Sequence, residues 1–173
     1  MAVLEIRQYP EQVLKGKAKP VEEITPEIQR LIDDMIETMY AAPGVGLAAP
    51  QVGVPLRLAV IDVSTRDDEM PLLVLVNPEI ISQEGELDED EGCLSVRDYN
   101  TNVRRYARVK VRATDRHGNV YEKEGEGLLA RAFQHELDHL DGMLFIDRIS
   151  PLKRDLFKRK FKKMLKDEGA AAS

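Results

Sequence analysis

The sequence predicts an α+β domain, in which antiparallel β-sheets pack around a central helix and a further helix lies near each end of the chain. Three segments repeat apolar residues with a helical period, and between the first two lie short runs that are rich in β-branched residues and bounded by turn residues. The 173 residues are 43% hydrophobic and carry a formal charge of -6, which suits one domain with a single adequate core.

The first helix should begin at Pro26, directly after the N-cap residue Thr25, and run to about Tyr40. Its inner face would carry regularly spaced apolar residues: Ile28, Leu31, Ile32, Met35 and Met39. Alternation and β-branched content then predict five strands, at residues 56–63, 72–76, 79–82, 108–114 and 120–124. The acidic stretch 84–91 is expected to be a solvated loop, and His117 lies in a predicted hairpin turn without a metal-binding role.

The central helix carries two histidines one helical turn apart, in the segment QHELDH at residues 134–139. Because an α-helix advances about 100° per residue, His135 and His139 project from the same side and can bind one metal ion together. A histidine pair at this spacing is also common on ordinary polar helix faces, so the spacing alone does not define a metal site.

Glu136 favours the metal site, because it falls near the middle of an apolar arc on this helix. The arc is formed by six residues: Leu128, Leu129, Ala132, Phe133, Leu137 and Leu140. Burial disfavours the charged carboxylate and should raise the pKa of Glu136 towards neutrality, which suits a group that accepts and returns a proton.

Two histidines do not complete a catalytic zinc-type site, which usually has three protein ligands and leaves a fourth position to water. In the extended motif H-E-x-x-H-x-x-G-x-x-H, Gly142 occupies the glycine position, but Phe145 stands where the third histidine is needed. Cys93 is the only cysteine of the chain and the best remaining ligand for a borderline-soft metal. A lone cysteine is also often a small buried apolar residue.

Three segments resemble the signatures of the peptide deformylase family, in the order in which that family has them. The first signature, G-φ-G-φ-A-A-x-Q, is similar to residues 44–51, which read GVGLAAPQ. The second, E-G-C-φ-S, is similar to residues 91–95, and the third, Q-H-E-x-D-H, to residues 134–139. The similarity extends over nearly the whole chain and is greatest to the bacterial type with a C-terminal helix.

The resemblance implies hydrolysis of the N-formyl group from the N-terminal formylmethionine of newly made polypeptides, with release of formate. It implies three metal ligands: Cys93, His135 and His139. Glu136 would be the general acid and base. Gln51, through its side-chain amide, and Leu94, through its backbone N–H, would stabilise the oxyanion. Gly46 would help to align the substrate backbone.

The metal that the resemblance implies is one divalent ion, ferrous iron in the cell, with zinc, nickel or cobalt able to substitute. The ligand types alone do not choose among these ions. Glu91 is expected to pair with an arginine such as Arg105 and so hold the Cys93 segment. Arg97 and Arg104 stand where many deformylases have proline, so the side-chain preferences of the cleft do not follow from the resemblance.

Residues 1–150 are expected to form the catalytic part, and residues 151–173 a basic amphipathic helix and tail of the same single domain. Ser150 and Pro151 start this helix, and one apolar face would carry Leu152, Leu156, Phe157, Phe161, Met164 and Leu165. From residue 151 onward there are eight Lys or Arg and three Asp or Glu. Such a charge is typical both of a solvated helix face and of a contact with a polyanion. The resemblance implies the second, docking on the ribosome near the exit tunnel.

Residues 1–9 lack the pattern of a signal peptide, and the longest aliphatic run, residues 72–76, is too short to span a bilayer. A single cysteine builds no disulfide framework. These features predict a cytoplasmic enzyme without a membrane partner. Two other functions stay open: a general metalloprotease that cleaves internal peptide bonds, and a non-enzymatic ribosome-associated or structural-metal protein.

Overall fold

The computed structural model describes residues 2–64 and 71–172, so Met1 and Ser173, the outer ends of the two expected segments, lie outside it. The described residues form an α+β fold with antiparallel sheets, which confirms the predicted fold class. The helices are α1 (Pro26–Ala41), α2 (Leu128–Leu140) and α3 (Pro151–Ala172). The strands are β1 (Gly46–Ala48), β2 (Leu58–Ile61), β3 (Leu73–Glu84), β4 (Leu87–Cys93), β5 (Val96–Arg105), β6 (Arg108–Thr114) and β7 (Val120–Glu126).

Five strands form one antiparallel sheet in the order β1-β2-β3-β6-β7, and β4 and β5 pair as a separate two-stranded sheet. All four residues of β2 are buried, because both faces of this strand are covered. Leu58 and Val60 pack with residues of α1, whereas Ile61 packs with residues of α2. The strand β1 lies at the edge of the five-stranded sheet, next to β2.

The prediction of a solvated loop at residues 84–91 is wrong, since most of this stretch forms β4 and pairs with β5. The charges alternate with residues that face the protein, and Glu91 is only 7% exposed. The two predicted strands 72–76 and 79–82 are one strand, β3, with irregular register after Val76. Asn77 has a φ of 51° there, which explains why the apolar alternation breaks.

Helix α1 begins as predicted, with the Thr25 hydroxyl accepting a hydrogen bond from the Ile28 backbone N–H at 3.2 Å. Helix α2 is buried on most of its sides, which brings four polar side chains into the interior: Gln134, Glu136, Asp138 and His139. Gln134 binds the backbone of Tyr106 in both directions, accepting from its N–H and donating to its carbonyl, each at 2.9 Å. Helix α2 is thereby fixed to the chain segment that follows β5.

The six residues predicted to form one apolar face of α3 behave differently from one another. Phe157 is buried in a core cluster with Val96, Val103 and Phe145, and Phe161 packs against that cluster. Three leucines of the predicted face are instead exposed: Leu152, Leu156 and Leu165. The prediction of a single face is wrong in this respect, because only residues spaced as Phe157 and Phe161 are meet the protein. Within the described ranges, no helix combines the length and apolar character needed to cross a membrane.

Candidate metal centre

The three predicted ligand residues converge at one point, with all their donor atoms within 4.8 Å of one another. Cys93 Sγ lies 3.4 Å from His139 Nε2, which lies 3.1 Å from His135 Nε2. Tetrahedral coordination at ordinary metal–sulfur and metal–nitrogen bond lengths separates ligand atoms by roughly 3.3 to 3.6 Å. The donor atoms therefore fit a single transition-metal ion.

Glu91 fixes the ring of His135. Nδ1 of His135 lies 2.8 Å from Glu91 Oε2, so Nδ1–H donates to the carboxylate and Nε2 is left for the metal. Arg105 holds the same carboxylate with two hydrogen bonds, at 2.6 and 3.2 Å, which confirms the predicted Glu91–Arg105 pair. Burial disfavours the charge on Glu91, but the bonds from His135 and Arg105 outweigh it and lower the pKa of Glu91 to about 2.

The two imidazoles respond to each other electrostatically. Burial opposes the charged form of both rings, but the neighbouring Cys93 and Glu91 hold the pKa of His135 well above its usual value. Burial and the charge of His135 hold the pKa of His139 well below it. Two rings this close do not both carry a proton, and a cation between them would satisfy the same negative surroundings.

Cys93 ends β4, and the turn between β4 and β5 follows it. The register shifts between Glu91 and Cys93, so the two side chains point to the same site although they are two residues apart. Sγ accepts a hydrogen bond from the Ser95 backbone N–H at 3.4 Å and lies 3.7 Å from Gln51 Nε2. These donors suit a thiolate.

Glu136 lies beside the ligands and is 3% exposed. Burial raises its pKa to about 7, in agreement with its predicted place in the apolar arc. Its Oε1 atom has no hydrogen-bond partner within the described part of the chain. A Cβ atom on Gly46 would collide with the Glu136 carboxylate, coming within 2.9 Å of its Cδ atom. The absence of a side chain at position 46 therefore makes room for Glu136.

A cavity of about 360 Å³ opens onto this cluster. Its lining includes Gly46, Gln51, Leu94, His135 and Glu136, together with residues of β4 and α2. The edge strand β1 begins at Gly46, so unpaired backbone of the sheet borders the cavity. The site can therefore present a metal, a buried carboxylate and a strand edge to one ligand.

Gln51 is held rigidly, with 1% of its surface exposed. Its Oε1 accepts from the Ala48 backbone N–H at 2.9 Å, and its Nε2 lies 3.1 Å from Ser95 Oγ. This arrangement directs the amide N–H groups towards the Cys93 side of the cavity. Leu94 lies across the cavity, where its side chain contacts the Gly44 position.

The sequence interpretation missed three contributors to the site. Phe145, noted only as the residue that replaces a third histidine, places its ring 6.3 Å from that of His135 at an interplanar angle of 28°. Asp138 and Arg148 join the buried ion pairs behind the metal ligands. Asp138 was visible as part of the QHELDH segment, whereas no local pattern marks Arg148.

The two arginines that depart from the family pattern both lie on β5. Arg97 borders a second cavity, on the far side of Leu94, and Arg104 borders a third cavity behind α2. Among the residues that the structure describes, neither arginine lines the cavity at the metal ligands. Their effect on the bound substrate would therefore be indirect.

A buried acid–base carboxylate beside a Cys-His-His cluster is the arrangement of a metal-dependent hydrolase. A family model described as polypeptide deformylase matches residues 3–155. The chain therefore belongs to the polypeptide deformylase family.

Relatives of the chain agree with this membership. A peptide deformylase of Thermodesulfovibrio yellowstonii is 58% identical over 162 residues, covering 94% of this chain and 98% of the relative. One from Syntrophobacter fumaroxidans is 53% identical over 170 residues, covering 98% of this chain and all of the relative. The crystal structure of a peptide deformylase from Legionella pneumophila matches with a TM-score of 0.88 at 49% identity, covering 97% and 98% of the two chains. A peptide deformylase from Ehrlichia chaffeensis in complex with actinonin matches at 0.89 and 38% identity, covering 95% and 98%.

Proposed function

We propose that the cavity at the Cys-His-His cluster is where this enzyme performs its reaction. The enzyme removes the N-formyl group from the N-terminal formylmethionine of newly made polypeptides and releases formate. One observation carries the assignment of the site: the donor atoms of Cys93, His135 and His139 lie within 4.8 Å of one another, beside Glu136. A divalent metal is the cofactor that this donor set supports.

Cys93, His135 and His139 would hold the metal, and we propose ferrous iron as the ion used in the cell. When bound, the metal lowers the pKa of a water molecule and makes a nucleophile available at neutral pH. A thiolate ligand beside ferrous iron is open to oxidation. Activity of the iron form should therefore decay in air and return with nickel or cobalt, and equal, air-stable turnover with every metal would contradict the choice of iron.

Glu136 moves the proton. Its carboxylate takes the proton that the attacking water gives up as the bond to the formyl carbon forms. It then delivers that proton to the nitrogen of the departing amine as the carbon–nitrogen bond breaks. A pKa of about 7 allows both steps at neutral pH, and burial is the physical reason for that value.

Gln51 and Leu94 would stabilise the negative charge that develops on the formyl oxygen, through the side-chain amide and the backbone N–H respectively. The Gln51 amide is fixed by its hydrogen bonds to the Ala48 backbone and to Ser95, so it needs no reorganisation during the reaction. A donor held in this way contributes about 3 kcal/mol to transition-state stabilisation.

The substrate backbone would extend along β1, the edge strand that borders the cavity. We propose that Gly46 aligns this backbone, because the glycine lets a peptide and the Glu136 carboxylate approach the same point. The methionine side chain would then enter the cavity lined by Leu128 and other residues of α2.

The test is the variant Glu136→Gln, which keeps the size of the side chain and removes its proton transfer. Formate release from a short formylmethionyl peptide should stop while metal content stays that of the parent. The same peptide without the formyl group serves as the control substrate, because a general metalloprotease would cleave its internal bonds. Full turnover by the variant, or cleavage of the unformylated peptide, would refute the proposal.

We further propose that α3 docks on the ribosome near the exit tunnel and that the enzyme works in the cytoplasm. Residues 1–150 would form the catalytic part and residues 151–173 a helix and tail of the same domain. The support is that Phe157 packs in the core, whereas the many lysines and arginines of α3 are mainly exposed. A cut at Lys153 would remove Phe157, so a charge change is the better test.

The double substitution Arg159→Glu and Lys163→Glu reverses two exposed charges of α3. It should weaken ribosome binding and its salt dependence while hydrolysis of a short formyl-peptide continues. The control is the same charge change at Lys17 and Arg30, which are exposed elsewhere. Equal ribosome affinity in both double variants would contradict the docking role of α3.

A further inference from the structure

A line of charged side chains connects the protein surface with the ring of His135. Arg148 donates to both oxygens of the Asp138 carboxylate, with Nη2 2.7 Å from Oδ1 and Nε 3.1 Å from Oδ2. Arg105 Nη1 donates to the same Oδ2 at 2.6 Å. Arg105 also binds Glu91, whose Oε2 atom accepts from His135 Nδ1 at 2.8 Å.

The inner members of this line are held only by one another. The side chain of Arg105 is 3% exposed, that of Glu91 7% and that of Asp138 10%. A buried charge is strongly destabilising when a partner is lost, so each of these groups moves if its neighbour moves. Arg148, with 44% of its side chain exposed, is the outermost member and the one that can be changed without leaving a cavity.

Loss of Arg148 would leave the Asp138 carboxylate with Arg105 as its one cationic partner among the described residues. Two arginines now hold this carboxylate from two directions, through a two-point contact from Arg148 and a single bond from Arg105. With one direction gone, Asp138 is free to turn, and Arg105 and Glu91 would turn with it.

The backbone around Arg148 explains why this residue can act on the metal ligand. Arg148 follows the 3-10 turn Phe145–Asp147, and its backbone N–H donates to the Phe145 carbonyl at 3.0 Å. The same turn places the Phe145 ring beside His135. One short segment therefore touches His135 directly and reaches it a second time through the ion pairs.

The other histidine ligand is placed differently. His139 is 1% exposed, and its Nδ1 atom has no hydrogen-bond partner in the described part of the chain. Packing orients this ring, whereas hydrogen bonding orients His135. His135 is therefore the ligand that responds to a change in the ion pairs.

We propose that Arg148 is a positioning residue that keeps His135 oriented for metal binding, acting through Asp138, Arg105 and Glu91. This inference rests on the proposed metal centre. Partners that hold a metal ligand from outside change metal affinity by about 10- to 100-fold. Because Arg148 acts through three intermediate side chains, we expect an effect at the lower end of that range.

The experiment measures the rate at which nickel-loaded protein loses its metal to an excess of chelator. The variant Arg148→Met should release nickel about tenfold faster than the parent, with KM for a formylmethionyl peptide unchanged. Arg148→Lys keeps the charge but not the two-point contact, and should lie between the two. The matched control is Arg116→Met, which breaks another partly exposed arginine–aspartate pair, with Asp33 at 2.8 Å.

A release rate for Arg148→Met that equals the parent rate would overturn the inference. So would an equal increase in Arg116→Met, because general loss of stability would then be the cause. The thermal midpoint of each metal-free variant distinguishes these cases, since a positioning role leaves the midpoints of the two variants similar. A Cys93→Ser variant that retains nickel as long as the parent would refute the metal centre itself and the inference with it.

Discussion

The substitution Gly46→Ala tests how closely the fold surrounds the catalytic carboxylate. A Cβ at this position would lie 2.9 Å from Glu136 Cδ and 3.2 Å from Cγ, and closer still to Oε2. The backbone at Gly46 does not require glycine, because its φ is outside the left-handed region. The collision with Glu136 is therefore the main consequence of the added methyl group.

The size of the effect follows from this geometry. Overpacking of a buried site costs about 1–3 kcal/mol of unfolding free energy, which for a chain of this length lowers Tm by roughly 2–4 °C per kcal/mol. The larger effect falls on catalysis, because displacing a reacting group by about 1 Å costs on the order of 100-fold in rate. We expect kcat to fall by about that factor while Cys93, His135 and His139 retain the metal.

The assay compares formate release and metal content in Gly46→Ala, in Glu136→Gln and in the double variant. If the methyl group acts by displacing Glu136, it should have little further effect once Glu136→Gln has removed the proton transfer. Gly16→Ala is the matched control, because its Cβ would meet no atom within 4 Å. A kcat for Gly46→Ala close to that of the parent would refute the reasoning.

Two further predictions concern stability. Phe157→Ala should lower the unfolding free energy by about 3–5 kcal/mol in urea titrations, because Phe157 is buried in the core cluster, whereas Leu156→Ala at an exposed site should change it little; similar losses in both would contradict the orientation of α3. For Glu91, the folded pKa of about 2 lies below the ordinary value of 4.5. Its ion pairs therefore stabilise the fold above pH 4.5, and this contribution is lost as the pH falls towards 2. Metal-free Arg105→Met should be less stable than the parent at neutral pH, and the difference should shrink over that interval; a constant difference would be evidence against the pairing.

Local sequence patterns were sufficient for the parts of the site that lie within one helix. The spacing of His135 and His139 and the apolar arc around Glu136 are properties of α2 alone. The same holds for α1, where Thr25 and Pro26 define the start. Residues 108–114 alternate clearly, and β6 has those bounds.

The paired strands β4 and β5 escaped prediction because they belong to a two-stranded sheet with many exposed charges. Most residues of β4 are acidic, and acidic residues are depleted in strands, so the composition resembled a loop. The pairing is defined by partners such as Leu87 with Arg105, and a single-sequence pattern holds no signal for such partners. The approach of Cys93 to the histidines depends on this sheet, and only the family resemblance pointed to it.

The outer ion pairs show how a site of this kind extends beyond what motifs record. Asp138 lies one helical turn from His135 on α2, Arg105 ends β5, and Arg148 follows a 3-10 turn, so three separate elements must meet before the line exists. Each pair has a geometry that a carboxylate and a guanidinium form readily, yet only the folded chain brings the pairs into series. Motifs name the atoms that touch a metal, whereas the orientation of those atoms depends on charges that are distant in sequence and buried by the fold. This is why the metal ligands were predictable and the side chains that hold them were not.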